Sequence, residues 1–151
     1  KASLSTTGTN AGVTMATTTE LNTRIERAVE AFNNHDIDGY VAEFTDDATF
    51  MDPANPDGLT KAEAREYMAG LLDGFPDVHV GIDRVISSGE GTALECTFHG
   101  THDGQFMGIP PTGETVDDEF VAIVAVSDDG ITSWRDYWDR MALLEQLGVE
   151  P

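Results

Sequence analysis

The sequence predicts an α+β fold: a strongly curved, cone-shaped antiparallel sheet whose N-terminal helices enclose a pocket. Two observations carry this expectation. The apolar residues recur at helical spacing as far as Phe75 and alternate from Val78 onward. Turn signals at Gly89-Glu90-Gly91 and Asp128-Asp129-Gly130 then divide the second part into successive strands. The element order is helix, helix, strand, helix, several antiparallel strands and a helical tail. Helices capping one end of a curved sheet leave a pocket inside it, the usual place for a ligand.

Thr17-x-x-Glu20 has the form of a capping box, and Leu21, Ile25, Ala28, Val29 and Phe32 follow on one face, so a helix is expected over 18–33. Asn33-Asn34-His35 ends it. Ile37, Tyr40, Val41 and Phe44 share one side of a short second helix. Ala48 to Asp52 reads as a strand stopped by Pro53, and Asn55-Pro56-Asp57-Gly58 as a turn. Thr60-x-x-Glu63 opens a third helix with Ala64, Tyr67, Met68, Leu71 and Phe75 inward, broken by Pro76. Val78, Val80 and Ile82 alternate, and the break in alternation at Val85-Ile86 suggests a bulge. Leu94, Cys96, Phe98, Gly100 and His102 share a face of the next strand, and Val116, Phe120, Ala122, Val124 and Val126 a face of the one after. A last strand runs from Ile131 to Trp138, and a helix carrying Met141, Leu144 and Leu147 stops at Gly148.

The chain of 151 residues fits one domain, expected over 15–151. The start, KASLSTTGTNAGVT, lacks the apolar core of a signal peptide. Residues 1–14 read as a tail outside the fold, either disordered or added ahead of a native start at Met15. The 28 acidic residues outnumber 8 basic ones, for a net charge of −20. Their dispersal along the chain points to adaptation to concentrated salt, which screens self-repulsion; a merely acidic protein is the alternative. No basic stripe exists for nucleic acid or an anionic membrane, and no apolar run reaches transmembrane length. The single Cys96 excludes an internal disulfide, and a cytoplasmic location is expected.

In ITSWRDYWD, alternation puts Trp134, Asp136 and Trp138 on one face and Ser133, Arg135 and Tyr137 on the other. A carboxylate between two indoles is poorly placed to be charged, so its pKa should rise towards that of a usable base. The alternative is a surface Asp whose tryptophans meet a second subunit. His102 shares a face with Phe98 and Cys96; it either orients a substrate carbonyl from inside the cavity or is satisfied by a loop carbonyl. Asp52 ends a strand near the pocket rim. Tyr40, Phe44 and Met68 are core or pocket wall. The loop GTHDGQFMGIPPTG, residues 100–113, is oddly apolar for a surface loop. Its Phe106, Met107 and Ile109 either plug the core or close over the pocket. No His/Cys/Asp spacing forms a metal cage, Asp117-Asp118-Glu119 reads as a solvated stretch, and no dinucleotide loop or Ser/Cys nucleophile signature occurs.

The GTHDGQFMGIPPTG loop, the following EF..I strand, the DGI turn, RDYWDR and the closing EQLG together resemble the SnoaL-like polyketide cyclases, or ester cyclases. These belong to the nuclear-transport-factor-2-like (cystatin-like) superfamily. AFNNHD, FTDDATFMDP and Phe75-Pro76 fit the same pattern, so the resemblance spans roughly 20–148. It implies that Asp136 is the aspartate that takes an acidic proton beside a carbonyl, giving an enolate that closes a ring by aldol addition. It also implies that no metal or organic cofactor is needed, and that subunits pair through the exposed sheet face as homodimers or homotetramers. His102 corresponds to the family's loop histidine. Two positions depart from the pattern. Ala122 stands where antibiotic-pathway cyclases carry a pocket histidine, and Asp52 where the founding cyclases resemble Asn before Pro.

Three readings follow. The first is a cofactor-independent acid/base enzyme acting on a small carbonyl or ester compound, with ring closure or isomerisation as the outcome. In it Asp136 is the base, His102 orients the substrate, and Trp134, Trp138, Phe98, Phe120, Phe106, Met107, Tyr40 and Asp52 line the pocket. The second is a non-catalytic small-molecule carrier or sensor. The third is hydrolysis resembling that of epoxide-opening relatives, where Arg bridges paired carboxylates; Arg135 points away from the face of Asp136 and disfavours it.

Overall fold

The computed structural model describes residues 21–150. The capping box at Thr17 and Glu20 and the tail over 1–14 lie outside the described residues. α1 spans Thr23–Asn33, capped by the Asn22 side chain, which accepts from Arg24 N–H; it therefore starts later than the helical period implied. α2 covers Ile37–Ala42, capped by Asp36. α3 covers Lys61–Gly74, and its Thr60/Glu63 capping box is present in both directions. α4 covers Arg140–Leu147 and ends at Gly148 in the left-handed conformation (φ 73°).

Six strands form a single curled, unclosed sheet: β1 Phe44–Asp52, β2 Asn55–Thr60, β3 His79–Ser88, β4 Gly91–Thr101, β5 Thr115–Ser127 and β6 Gly130–Tyr137, in the order β2-β1-β6-β5-β4-β3. Three features differ from the sequence expectation. β1 begins four residues earlier than Ala48, because Phe44 already pairs with Ile131. Asn55–Gly58 is part of β2, not a free turn; Pro56 is tolerated there because β2 is an edge strand. The β1–β6 pair is parallel, so the sheet is mixed. The β3 bulge falls between Ile82 and Arg84, just ahead of the break in alternation.

The helices pack on the concave face of the sheet, with Ile25, Ala28 and Phe32 of α1 and Ala64, Met68 and Leu72 of α3 buried. Phe75 ends α3 and is 1% exposed. It sits over Gly100, where an added Cβ would lie 3.3 Å from its side chain. Burying a side chain of that size stabilises by roughly 1.5–3 kcal/mol. No helix among the described residues is long and apolar enough to cross a membrane.

Candidate active site

Between the helices and the concave face lies a cavity of about 120 Å³. A single water needs only ~10–15 Å³ on such a measure, so the cavity has room for a small organic ligand. Each element contributes by its own period. α1 and α2 supply Phe32 and Tyr40, and α3 supplies Tyr67 and Leu71. Asp52 comes from the end of β1, Phe98 from β4, Asp118 and Phe120 from β5, and Trp134 and Asp136 from β6, with Trp138 just beyond. Its ionisable lining comprises Asp52, Asp118, Glu119, Asp136 and the two tyrosines; among the described residues no Lys, Arg or His lines it.

Asp136 is half-buried and pairs in register with Ala122 of β5. Trp134 Nε1–H donates to its Oδ1 at 2.8 Å. Oδ2 has no hydrogen-bond partner among the described residues, so it is the oxygen available to a ligand. Burial pushes the Asp136 carboxyl up to about 7; the charge of Asp52 adds to this and the indole donor opposes it. Near neutral pH the group is therefore divided between acid and base.

Asp52 is 5% exposed and fully engaged. Its Oδ1 accepts from Ala54 N–H, Asn55 N–H and Asn55 Nδ2–H at 2.8–3.0 Å, and its Oδ2 from the Tyr67 hydroxyl at 2.7 Å. Burial and the Asp52 charge push the Tyr67 pKa upward, keeping it a phenol. Burial, with the charge of Asp136 behind it, raises the Cys96 thiol to about 12, which leaves it unreactive as a nucleophile.

A family model for SnoaL-like polyketide cyclases matches residues 22–147. The chain belongs to this SnoaL-like family. Among solved structures it is similar to AclR from Streptomyces galilaeus, a proposed hydroxylase, at 27% identity and TM-score 0.74 over 85% of this chain and 95% of that one. It is also similar to IdmH from Streptomyces antibioticus, a proposed polyketide cyclase, at 26% identity and TM-score 0.71 over 83% and 96%. A Catenulispora acidiphila protein with a ketosteroid isomerase-like fold, in complex with trimethylamine, shares the fold at 19% identity and TM-score 0.73 over 85% and 94%. No curated protein sequence matches.

In this SnoaL-like chain the lining includes Asp136, Asp52, Trp134, Trp138, Phe98, Phe120, Phe106 and Tyr40 of the residues singled out from the sequence. Two do not join them. His102 is fully buried but stacks behind Phe75, with ring centroids 5.3 Å apart, and it is Phe75 that faces the cavity. The loop holds the histidine there: Thr112 N–H donates to Nδ1 (3.3 Å) and the Thr112 hydroxyl lies 3.0 Å from it. In the neutral ring Nε2 then carries the proton, and burial lowers the pKa, which favours that neutral form. Strand alternation placed His102 on the cavity face, but β4 ends at Thr101 and the chain turns beneath α3.

Met107 also stays outside, 36% exposed. Phe106 and Ile109 exchange backbone hydrogen bonds across Met107 (φ 53°) and Gly108 (φ 77°), a tight turn that aims Phe106 inward and Met107 outward. Asp103 and Gly104 N–H both donate to the Gly74 carbonyl, tying the loop to the end of α3. A Cβ on Gly104 would collide with the Asp73 carbonyl. The loop is thus a plug carrying Phe106, whose ring meets Phe75 (5.6 Å) and Tyr67 (6.2 Å).

Sequence reasoning missed Asp118 and Tyr67. Val116, Asp118, Phe120 and Ala122 alternate on β5, so the register contained the signal for Asp118, masked by its acidic neighbours. Tyr67 lay on the expected inner face of α3, but its partner Asp52 is fixed only by tertiary contact. Arg135 donates to the Tyr137 hydroxyl and to Met51 Sδ and makes no hydrogen bond or ion pair with Asp136, so no Arg-bridged carboxylate pair forms there among the described residues.

Proposed function

We propose that the protein is a cofactor-independent acid/base enzyme acting on a small, uncharged carbonyl or ester compound, with Asp136 as general base. The observation that carries this reading is the free Asp136 Oδ2 in a mostly aromatic cavity, on a carboxyl held near pH 7. Such a group takes a proton efficiently at neutral pH because its pKa matches the medium. The C–H bond beside the carbonyl breaks, its proton passes to Oδ2, and the electron pair moves onto the carbonyl oxygen. Attack of the resulting enolate carbon on a second carbonyl of the same molecule would form the new C–C bond, and Asp136 returns its proton to the new alkoxide. Trp134 and Trp138 act as apolar walls that hold the substrate and exclude water. The four acidic residues of the lining, Asp52, Asp118, Glu119 and Asp136, disfavour carboxylate or phosphate substrates. The kinship with IdmH, a proposed polyketide cyclase, supports ring closure as the outcome.

The test is α-proton exchange of a simple bicyclic ketone, 2-tetralone, in deuterated buffer. Wild-type protein should accelerate exchange and Asp136→Asn should not, with both folded. Exchange equal in both variants rejects the base assignment. Binding without exchange in wild type favours a carrier, a reading supported by Ala122 standing where the antibiotic-pathway cyclases carry a pocket histidine. Ile123 (43% exposed) and Tyr137 (51%) on the outer sheet face support a homodimer, to be read by native mass spectrometry.

A further inference from the structure

We propose that the Tyr40 hydroxyl donates a hydrogen bond to the substrate oxygen, the carbonyl that becomes an enolate when Asp136 takes the neighbouring proton. The inference rests on the acid/base reading of the cavity and assigns a second group to it. Tyr40 is only 4% exposed, and its ring is packed by Phe44 (5.1 Å), Phe32 (6.1 Å) and Trp134 (6.4 Å). A buried phenol normally finds a hydrogen-bond partner. This one has none among the described residues, yet its oxygen is not sealed in either. The one side-chain N or O atom there that is both enclosed and unpartnered is His102 Nε2. The Tyr40 oxygen therefore keeps some accessible surface, on a residue that lines the cavity and close enough to Asp136 to feel its charge.

The other tyrosine of the cavity cannot take this role, because the Tyr67 hydroxyl is committed to Asp52. Tyr40 is also held in place. α2 is pinned by the Asp36 carboxylate accepting from Gly39 N–H (2.9 Å), and a Cβ on Gly39 would strike that carboxylate. Burial and the charge of Asp136 raise the Tyr40 pKa well above its usual value, so it remains a donor throughout the working range. In the proton transfer Tyr40 keeps its own proton. It stabilises charge arriving on the substrate oxygen, as a preorganised donor in a dry site does.

The experiment compares two probes, 2-naphthol and naphthalene, in wild type and Tyr40→Phe. The phenylalanine keeps the ring packing and removes only the hydroxyl. 2-Naphthol should bind the variant about 10-fold more weakly, the usual scale for one lost hydrogen bond in a desolvated site. Naphthalene should bind both equally, which also reports an intact cavity. In wild type, the Tyr40 hydroxyl proton should become visible by NMR, shifted downfield, with 2-naphthol but not with naphthalene, a readout independent of the variant's folding. Equal loss for both probes, no loss for 2-naphthol, or no binding of 2-naphthol to wild type would overturn the assignment. The base reading is read separately. 2-Naphthol affinity should change through pH 7 in wild type and not in Asp136→Asn; a pH step that persists in the Asn variant sinks the base and leaves the Tyr40 contact standing.

Discussion

Trp134 and Asp136 stand two residues apart on one face of β6, joined by a hydrogen bond from the indole N–H to Oδ1 at 2.8 Å. The same side chain thus acts on the carboxyl in opposite directions. Its bulk helps to exclude water and favours the neutral acid, while its N–H favours the anion. Burial prevails, and the group titrates near 7.

Replacing Trp134 with Phe keeps an aromatic ring against Tyr40 and Phe44 but removes the donor. The Asp136 midpoint should move above 7, seen as a shifted carboxyl titration by NMR or a shifted pH–rate profile for ketone exchange. An unchanged midpoint would mean that the hydrogen bond contributes nothing in solution.

Asp52→Asn should act in the other direction, lowering the Asp136 midpoint by removing a nearby negative charge. It should also cost stability. The Asn side chain retains one carbonyl oxygen where Asp52 accepts from the Ala54 and Asn55 backbones and from Tyr67. A loss of about 1–3 kcal/mol in urea unfolding is expected for this partly broken buried network.

The raised Asp136 pKa is itself a stability liability. The folded carboxyl holds its proton up to about 7, whereas an unfolded Asp releases it near its ordinary value of 3.8. The corresponding stability is fully present below the unfolded pKa and is lost as pH rises through the folded one. Over a gap of about 3 pH units this is on the order of 4 kcal/mol. Asp136→Asn should therefore be more stable than wild type at pH 8, with the difference closing towards pH 4. Parallel stability curves for the two proteins would contradict this.

The charge of the cavity predicts selection against anions. 2-Naphthoate should bind at least about 10-fold more weakly than 2-naphthol above pH 7, with the gap narrowing as salt screens the carboxylates. On the scale of the whole chain, a net charge of −20 predicts that the urea midpoint rises between 0.1 and 2 M KCl. A flat salt response would remove the case for salt adaptation.

Much of this site was legible because strand periodicity is local. The WRDYW alternation was enough to place Trp134 and Asp136 together, and the capping box at Thr60 enough to start α3. What escaped depended on where the chain leaves a regular element. His102 lies one residue past β4, so extending the alternation placed it on the wrong side of Phe75. Hydrophobicity alone puts Met107 beside Phe106, but two successive positive φ angles send neighbouring side chains in opposite directions. The β2 edge strand was hidden by the turn chemistry of Asn55-Pro56-Asp57-Gly58, whose pairing with β1 is a tertiary fact. The unpartnered Tyr40 hydroxyl has no sequence signature, since a Tyr on an inward helix face reads as core.

The most direct test is the carboxyl titration of Asp136 itself, followed by carbon-detected NMR and assigned by its loss in Asp136→Asn. A midpoint near pH 7 in the free protein is the expected result. A midpoint near 4, in the ordinary carboxylate range, would show a solvated side chain and contradict its role as a base poised for neutral pH.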